Sequence, residues 1–136
     1  MNAMSRRRIV LLGAAAMLVA GSLPAVAAGG ANAIRMFDMD KDGTLDLTEV
    51  RKAASSLFAK LDRDRDGTLD KRELAGRLSA SELAAADPDR DGTLTADEYL
   101  AVVERRFNAA NPDRDGTLDA KELDTRAGKA LLRLLK

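Results

Sequence analysis

The sequence contains no cysteine and no histidine. Without thiolate or imidazole the usual zinc, copper, iron–sulfur and haem ligand sets cannot be assembled, so any metal bound here is bound through oxygen. The same two absences remove the commonest side-chain nucleophile and the commonest general base. No serine, lysine or carboxylate pair stands in a recognisable catalytic context, and a non-enzymatic role is expected. Tryptophan is also missing, and three Phe and one Tyr make up the whole aromatic content of 136 residues. The core must therefore rest on Leu, Val and Ala, which gives a thin interior that a bound ion could tighten.

Charge is plentiful, with 22 basic and 22 acidic residues and a formal net charge of zero. Its placement is uneven. Arg6, Arg7 and Arg8 precede an apolar run from Ile9 to Leu23, followed by Pro24 and the small-residue stretch Ala25-Val26-Ala27. Basic, apolar and small in that order are the three parts of a secretory leader, with cleavage expected after Ala27. The run is shorter than the roughly 20 residues a membrane-spanning helix needs, and no cysteine is present for lipid attachment. Residues 1–27 are thus expected to be a signal peptide, routed by the general or the twin-arginine pathway. Residues 28–136 are expected to form one periplasmic domain that leaves the membrane once the leader is cut. That remainder is net acidic, no nucleic-acid partner is expected, and nothing in the pattern specifies a protein partner.

All the acidic residues except Glu82, Glu104 and Asp124 fall in four twelve-residue windows, at 38–49, 62–73, 87–98 and 111–122, which recur with a period of 24 or 25 residues. Each window fits the EF-hand loop template, with oxygen side chains at positions 1, 3, 5 and 9, glycine at 6, a main-chain carbonyl at 7 and glutamate at 12. The first offers Asp38, Asp40, Asp42, Thr44, Asp46 and Glu49, and the second Asp62, Asp64, Asp66, Thr68, Asp70 and Glu73. The third offers Asp87, Asp89, Asp91, Thr93, Thr95 and Glu98, and the fourth Asn111, Asp113, Asp115, Thr117, Asp119 and Glu122. A large hard cation takes roughly six to eight oxygens, and no single helix or strand can aim that many inward, so the chain must wrap around it. Lanthanide(III) or Ca2+ are the expected ions. The glutamates can close the sphere from the start of an exiting helix, while Leu45, Leu69, Leu94 and Leu118 at position 8 suit short strands that pair loops back to back. Lys41, Arg65, Arg90 and Arg114 at position 4 are expected to point outward. Asn111 supplies a neutral oxygen where the others supply a carboxylate, which makes loop four the expected weakest site.

The linkers are short: 12 residues between Glu49 and Asp62, 13 between Glu73 and Asp87, and 12 between Glu98 and Asn111. One helix must serve two loops. Val50, Ala54, Leu57, Phe58 and Leu61 recur at helical spacing, as do Tyr99, Val102, Val103 and Phe107. Successive loops should lie at opposite ends of such helices, so loops adjacent in sequence are not expected to pair. The middle linker is less regular, because Gly76 interrupts it and Ser79-Ala80-Ser81-Glu82 reads as a capping box that opens a new turn. After loop four, Ala127, Leu131, Leu134 and Leu135 form the stripe of a covering helix. The expected fold is an all-α EF-hand array: four metal loops joined by short shared helices around a small helical bundle.

Four loops with 12- or 13-residue linkers behind a leader closely resemble the lanmodulin family, periplasmic lanthanide-binding proteins of methylotrophic bacteria. So do the run Glu98-Tyr99-Leu100-Ala101-Val102-Val103-Glu104, the segment Phe107 to Asp113 and the Ala127-Gly128 pair. The resemblance spans essentially all of residues 28–136. It implies a compact helical core with peripheral sites, a loosely ordered metal-free form and a strong preference for trivalent lanthanides over calcium. The better-known members carry proline at position 2 of every loop; here Pro88 and Pro112 match, whereas Met39 and Arg63 stand in loops one and two, and Thr95 replaces the usual Asp at position 9 of loop three.

Three functions compete: lanthanide capture coupled to folding, a periplasmic calcium store, and a calcium-dependent interaction module. A sensor-type module exposes a methionine-rich groove when loaded, and only Met36 and Met39 remain beyond the leader.

Overall fold

A computed structural model describes residues 28–136, and the expected leader lies outside them. In chain order the elements are α1 (Ala28–Phe37), β1 (Leu45–Asp46), α2 (Leu47–Leu61), β2 (Thr68–Asp70), α3 (Ala80–Ala86), β3 (Thr93–Thr95), α4 (Ala96–Ala110), β4 (Thr117–Leu118), α5 (Ala120–Leu123) and α6 (Arg126–Leu132). This is the expected helical EF-hand array, with strands only two or three residues long. Among the described residues no helix is long and apolar enough to cross a membrane.

Helix starts are written into the loops. Asp46, Thr95 and Asp119, each at loop position 9, are the N-caps of α2, α4 and α5; each accepts a hydrogen bond from the main-chain N–H of the position-12 glutamate, which reaches back to the cap's own N–H. The reciprocal pair satisfies two donors that a helix start would otherwise leave bare, so positions 9 and 12 begin a helix as well as offering oxygen. Ser79 and Glu82 cap α3 in the same way, as the sequence pattern predicts.

The first and third linkers are single shared helices of 15 residues, α2 and α4. Each is about 22 Å long at 1.5 Å per residue and holds loop one away from loop two, and loop three away from loop four. The middle linker behaves differently. From Lys71 the chain runs in turns, Gly76 takes a left-handed φ of +82°, and α3 begins afresh at Ala80. The resulting bend corrects the expectation about pairing: β2 and β3, from adjacent loops, form an antiparallel ribbon with Leu69 opposite Leu94. Loops one and four pair through β1 and β4, with Leu45 opposite Leu118. Two back-to-back pairs result.

The four position-8 leucines have no exposed surface, and they join Val50, Ala54, Tyr99, Val103, Leu123, Leu131 and Leu134 in one core. The Phe58 and Tyr99 rings meet edge to face with centroids 5.6 Å apart. The Tyr99 hydroxyl donates to the Leu134 carbonyl at 2.7 Å, fastening the tail to the bundle. Close backbone approach has its own residues in Gly30 and Gly128, where a Cβ would collide with the main chain of Ala120 and of Glu122 and Leu123 respectively. The expected covering helix is α6, shorter than the stripe suggested, with Leu134 and Leu135 buried just beyond it.

Candidate metal centres

Each loop is organised by its first residue. In loop one, Asp38 Oδ2 accepts from the Gly43 N–H at 2.8 Å and Oδ1 from the Asp42 N–H at 3.2 Å. Asp62 repeats the pair in loop two at 2.9 and 3.2 Å, and Asp87 in loop three at 2.7 and 3.3 Å. Asn111 holds the same place in loop four, where its side-chain oxygen accepts from the Gly116 N–H at 3.2 Å once the amide is oriented to suit its neighbours. The inward turn at position 6 has φ between +82° and +87° in all four loops, a conformation that glycine reaches without steric strain.

Carboxylates converge as the loop template predicts, though not in identical sets. Asp38, Asp40 and Glu49 present oxygens within 4.8 Å of one another, as do Asp62, Asp64 and Asp66, and Asp87, Asp89 and Glu98. Such acidic clusters are compatible with binding of a calcium-type ion. No equivalent trio occurs in loop four among the described residues, where the first position carries an amide. The position-5 carboxylates Asp42, Asp66, Asp91 and Asp115 each turn one oxygen onto the N–H and hydroxyl of the threonine two residues on. Those threonines, Thr44, Thr68, Thr93 and Thr117, lie at or beside the paired strands. Asp46, Asp70, Thr95 and Asp119 at position 9 accept the main-chain N–H of the closing glutamate.

Position 2 divides the loops into two kinds. The Met39 N–H donates to Glu49 Oε1 at 2.6 Å, and the Arg63 N–H donates to Glu73 Oε1 at 3.1 Å. Pro88 and Pro112 have no N–H, so Glu98 and Glu122 lack this latch. Position 4 carries a second shared feature that composition did not suggest: Lys41, Arg65, Arg90 and Arg114 all adopt left-handed φ, from 54° to 61°. These side chains are exposed, as expected.

Crowded anions leave their mark on protonation. The hydrogen bond with Asp87, then desolvation and the charges of Asp91 and Glu98, push Asp89 up to about 6, while the same hydrogen bond holds Asp87 below the usual carboxylate range. Asp40 and Asp64 are raised by desolvation and by hydrogen bonds with Asp38 and Asp62. Glu122 is raised by desolvation and by the nearby charges of Asp113, Asp119 and Asp115. Carboxylates raised in this way hold a proton to higher pH than a free side chain does, and a bound cation would compete with it.

Paired helix–loop–helix units with oxygen-rich twelve-residue loops make this an EF-hand fold, a metal-binding and non-catalytic kind of module. The EF-hand family model matches residues 31–53 and 55–75, which hold loops one and two. Loops three and four lie outside those segments; they share the bonds from position 5 to the threonine and from position 9 to the closing glutamate, but not the position-2 latch. No curated protein matches the chain.

Proposed function

We propose that the protein is a periplasmic lanthanide binder that takes up to four ions, one per loop, and gains order as it does so. The observation that carries this reading is the convergence of carboxylate oxygens to within 4.8 Å in three loops. The ligands are those at positions 1, 3, 5, 7, 9 and 12 of each window. Loops one and two offer five carboxylates at these positions, an anion density that a trivalent ion offsets better than a divalent one of similar radius. The resemblance to the lanmodulin family and the leader-like pattern of residues 1–27 support the ion and the compartment. A site that is absent from the unfolded chain turns binding energy into folding energy.

A competitive titration with calcium and then lanthanum at buffered free metal, followed by helix circular dichroism, tests the reading. A lanthanum midpoint orders of magnitude below that of calcium is the expected result. Coincident midpoints would make the protein a calcium store, a reading favoured by the missing prolines at Met39 and Arg63.

A further inference from the structure

Loop two differs from the other three in the side chains that surround it. Arg63, Arg72 and Arg77 line an open hollow of about 400 Å³ together with Asp64, Asp70 and Glu73, the candidate ligands at loop positions 3, 9 and 12. None of these arginines is ion-paired: the pairs among the described residues are Arg51 with Glu104 and Arg106 with Glu82. Arg77 gives one N–H to the Lys136 main-chain oxygen at 3.3 Å, while its Nε is shut off from solvent and has no hydrogen-bond partner among the described residues. A buried donor on a cation is costly to leave bare, and it suits an anionic acceptor. The charge count sets the same loop apart. Residues 62–77 carry five acidic and five basic side chains, whereas the matching stretches 38–53, 87–102 and 111–126 carry five acidic and at most three basic. A trivalent ion therefore leaves loop two with three positive charges and no other loop with more than one.

Resting on the reading that loop two binds a trivalent cation, we propose that this hollow takes a small oxyanion with two or more anionic oxygens, a dicarboxylate or a phosphate, together with the ion. A guanidinium fork holds two such oxygens at once, and the volume falls in the range of about 300–1,000 Å³ typical of small-molecule sites. Three ligand carboxylates share the lining, so an anion seated there lies beside the ion and adds oxygen donors to a hard cation that favours them. While the loop is empty those carboxylates cancel the three arginines and oppose an anion. The ion removes that opposition. The anion thus depends on the ion, and by linkage it tightens the ion in return. Loop three, the ribbon partner of loop two, contributes none of its acids to the lining. Loop two in this way accepts an ion that still carries one of its anions.

The test is a titration of isotope-labelled, lanthanum-loaded protein with malonate, and separately with methylphosphonate, at constant ionic strength, followed by the amide resonances of Gly43, Gly67, Gly92 and Gly116. Lanthanum content after gel filtration is measured with and without the anion, so that failure to bind metal, loss of metal to the anion and failure to bind the anion are told apart. The Gly67 resonance should shift saturably while the other three hold, and metal-stripped protein should not respond. Whichever probe saturates at the lower concentration identifies the anion as carboxylate or phosphate. Arg63→Gln with Arg72→Gln, both exposed and neither a metal ligand through its side chain, should weaken the anion about tenfold with lanthanum content unchanged. Lanthanum-loaded protein whose Gly67 ignores both probes, that responds equally at all four glycines, that answers acetate as strongly as malonate, or that is indifferent to the arginine substitutions overturns the proposal. So does a Gly67 shift that tracks loss of lanthanum, which would make the anion a competing chelator. A protein that takes up no lanthanum refutes the metal reading and the anion site with it.

Discussion

Leu45 lies directly opposite Leu118 in a two-stranded ribbon that ties loop one to loop four across nearly the whole described chain. Asp46 and Thr117, the next pair in register, are themselves loop positions 9 and 7, so ordering one loop fixes backbone in the other. Coupling between such sites is typically about 1–3 kcal/mol. Glu49→Gln should therefore lower lanthanum affinity at loop four by about fivefold or more, while loops two and three, paired with each other, change little. Amide resonances of Gly43, Gly67, Gly92 and Gly116 followed through a lanthanum titration would resolve the four sites. Equal weakening at loops two and four would show that the ribbons do not set the coupling.

Loop two tests the role of position 2. The Arg63 N–H holds Glu73 in the empty loop, and Arg63→Pro removes that donor while restricting the unliganded backbone. Loops three and four adopt the same turn with Pro88 and Pro112 in place, so the backbone accommodates the ring. Loop two should gain affinity by roughly twofold to fivefold, from an entropy saving of about 0.4–1 kcal/mol. The Gly67 resonance reads that site alone, and reduced affinity there would show that the N–H is needed by the loaded state.

Protons compete with the ion most strongly at loop three. With Asp89 pushed up to about 6 by its hydrogen bond to Asp87, the empty loop holds a proton below that pH and must release it to bind metal. Affinity is thus fully available above about pH 6 and is lost below it, by about tenfold per pH unit for one displaced proton. Calorimetry in buffers of differing ionisation enthalpy at pH 5.5–6 should detect proton release, and Asp89→Asn should remove the loop-three share of it.

The loops were legible in the sequence because their demands are local: a left-handed glycine at position 6, oxygen at alternate positions, and an apolar residue at position 8 that the fold buries completely. Shared helices followed from linker length and from the periodic stripes that became α2 and α4. Loop pairing did not follow from linker length alone. Gly76 and the Ser79–Glu82 capping box were visible, but only the three-dimensional chain shows that the bend between them brings Leu69 to Leu94. The left-handed backbone of Lys41, Arg65, Arg90 and Arg114 was illegible for another reason. Long basic residues do not favour that region, and the loop geometry imposes it on them. The position-2 latch was equally hidden, because a main-chain N–H is present at every residue except proline, and only the placement of Glu49 and Glu73 shows which N–H is used.

The tail offers the cleanest test of what holds the bundle together. The Tyr99 hydroxyl and the Leu134 carbonyl are buried and satisfy each other. Tyr99→Phe keeps the edge-to-face contact with Phe58 but leaves that carbonyl unpaired, at a cost of about 1–3 kcal/mol. For a domain of this size the midpoint of thermal unfolding should fall by roughly 4–8 °C per kcal/mol. The bond joins α4 to the tail, outside the loops, so the loss should appear in lanthanum-loaded protein. The phenol itself supplies an independent check. Burial pushes Tyr99 up to about 12, with Arg77 and Arg106 pulling modestly the other way. The folded chain therefore keeps a proton that the unfolded chain gives up near pH 10, so this contribution to stability is fully present below pH 10 and is lost as the pH rises toward 12. As the only tyrosine in a chain without tryptophan, Tyr99 can be followed by ultraviolet absorbance without interference. Phenolate appearing near pH 10 with the helix signal intact would mean that the hydroxyl is not buried against Leu134 and that the tail is held by its leucines alone.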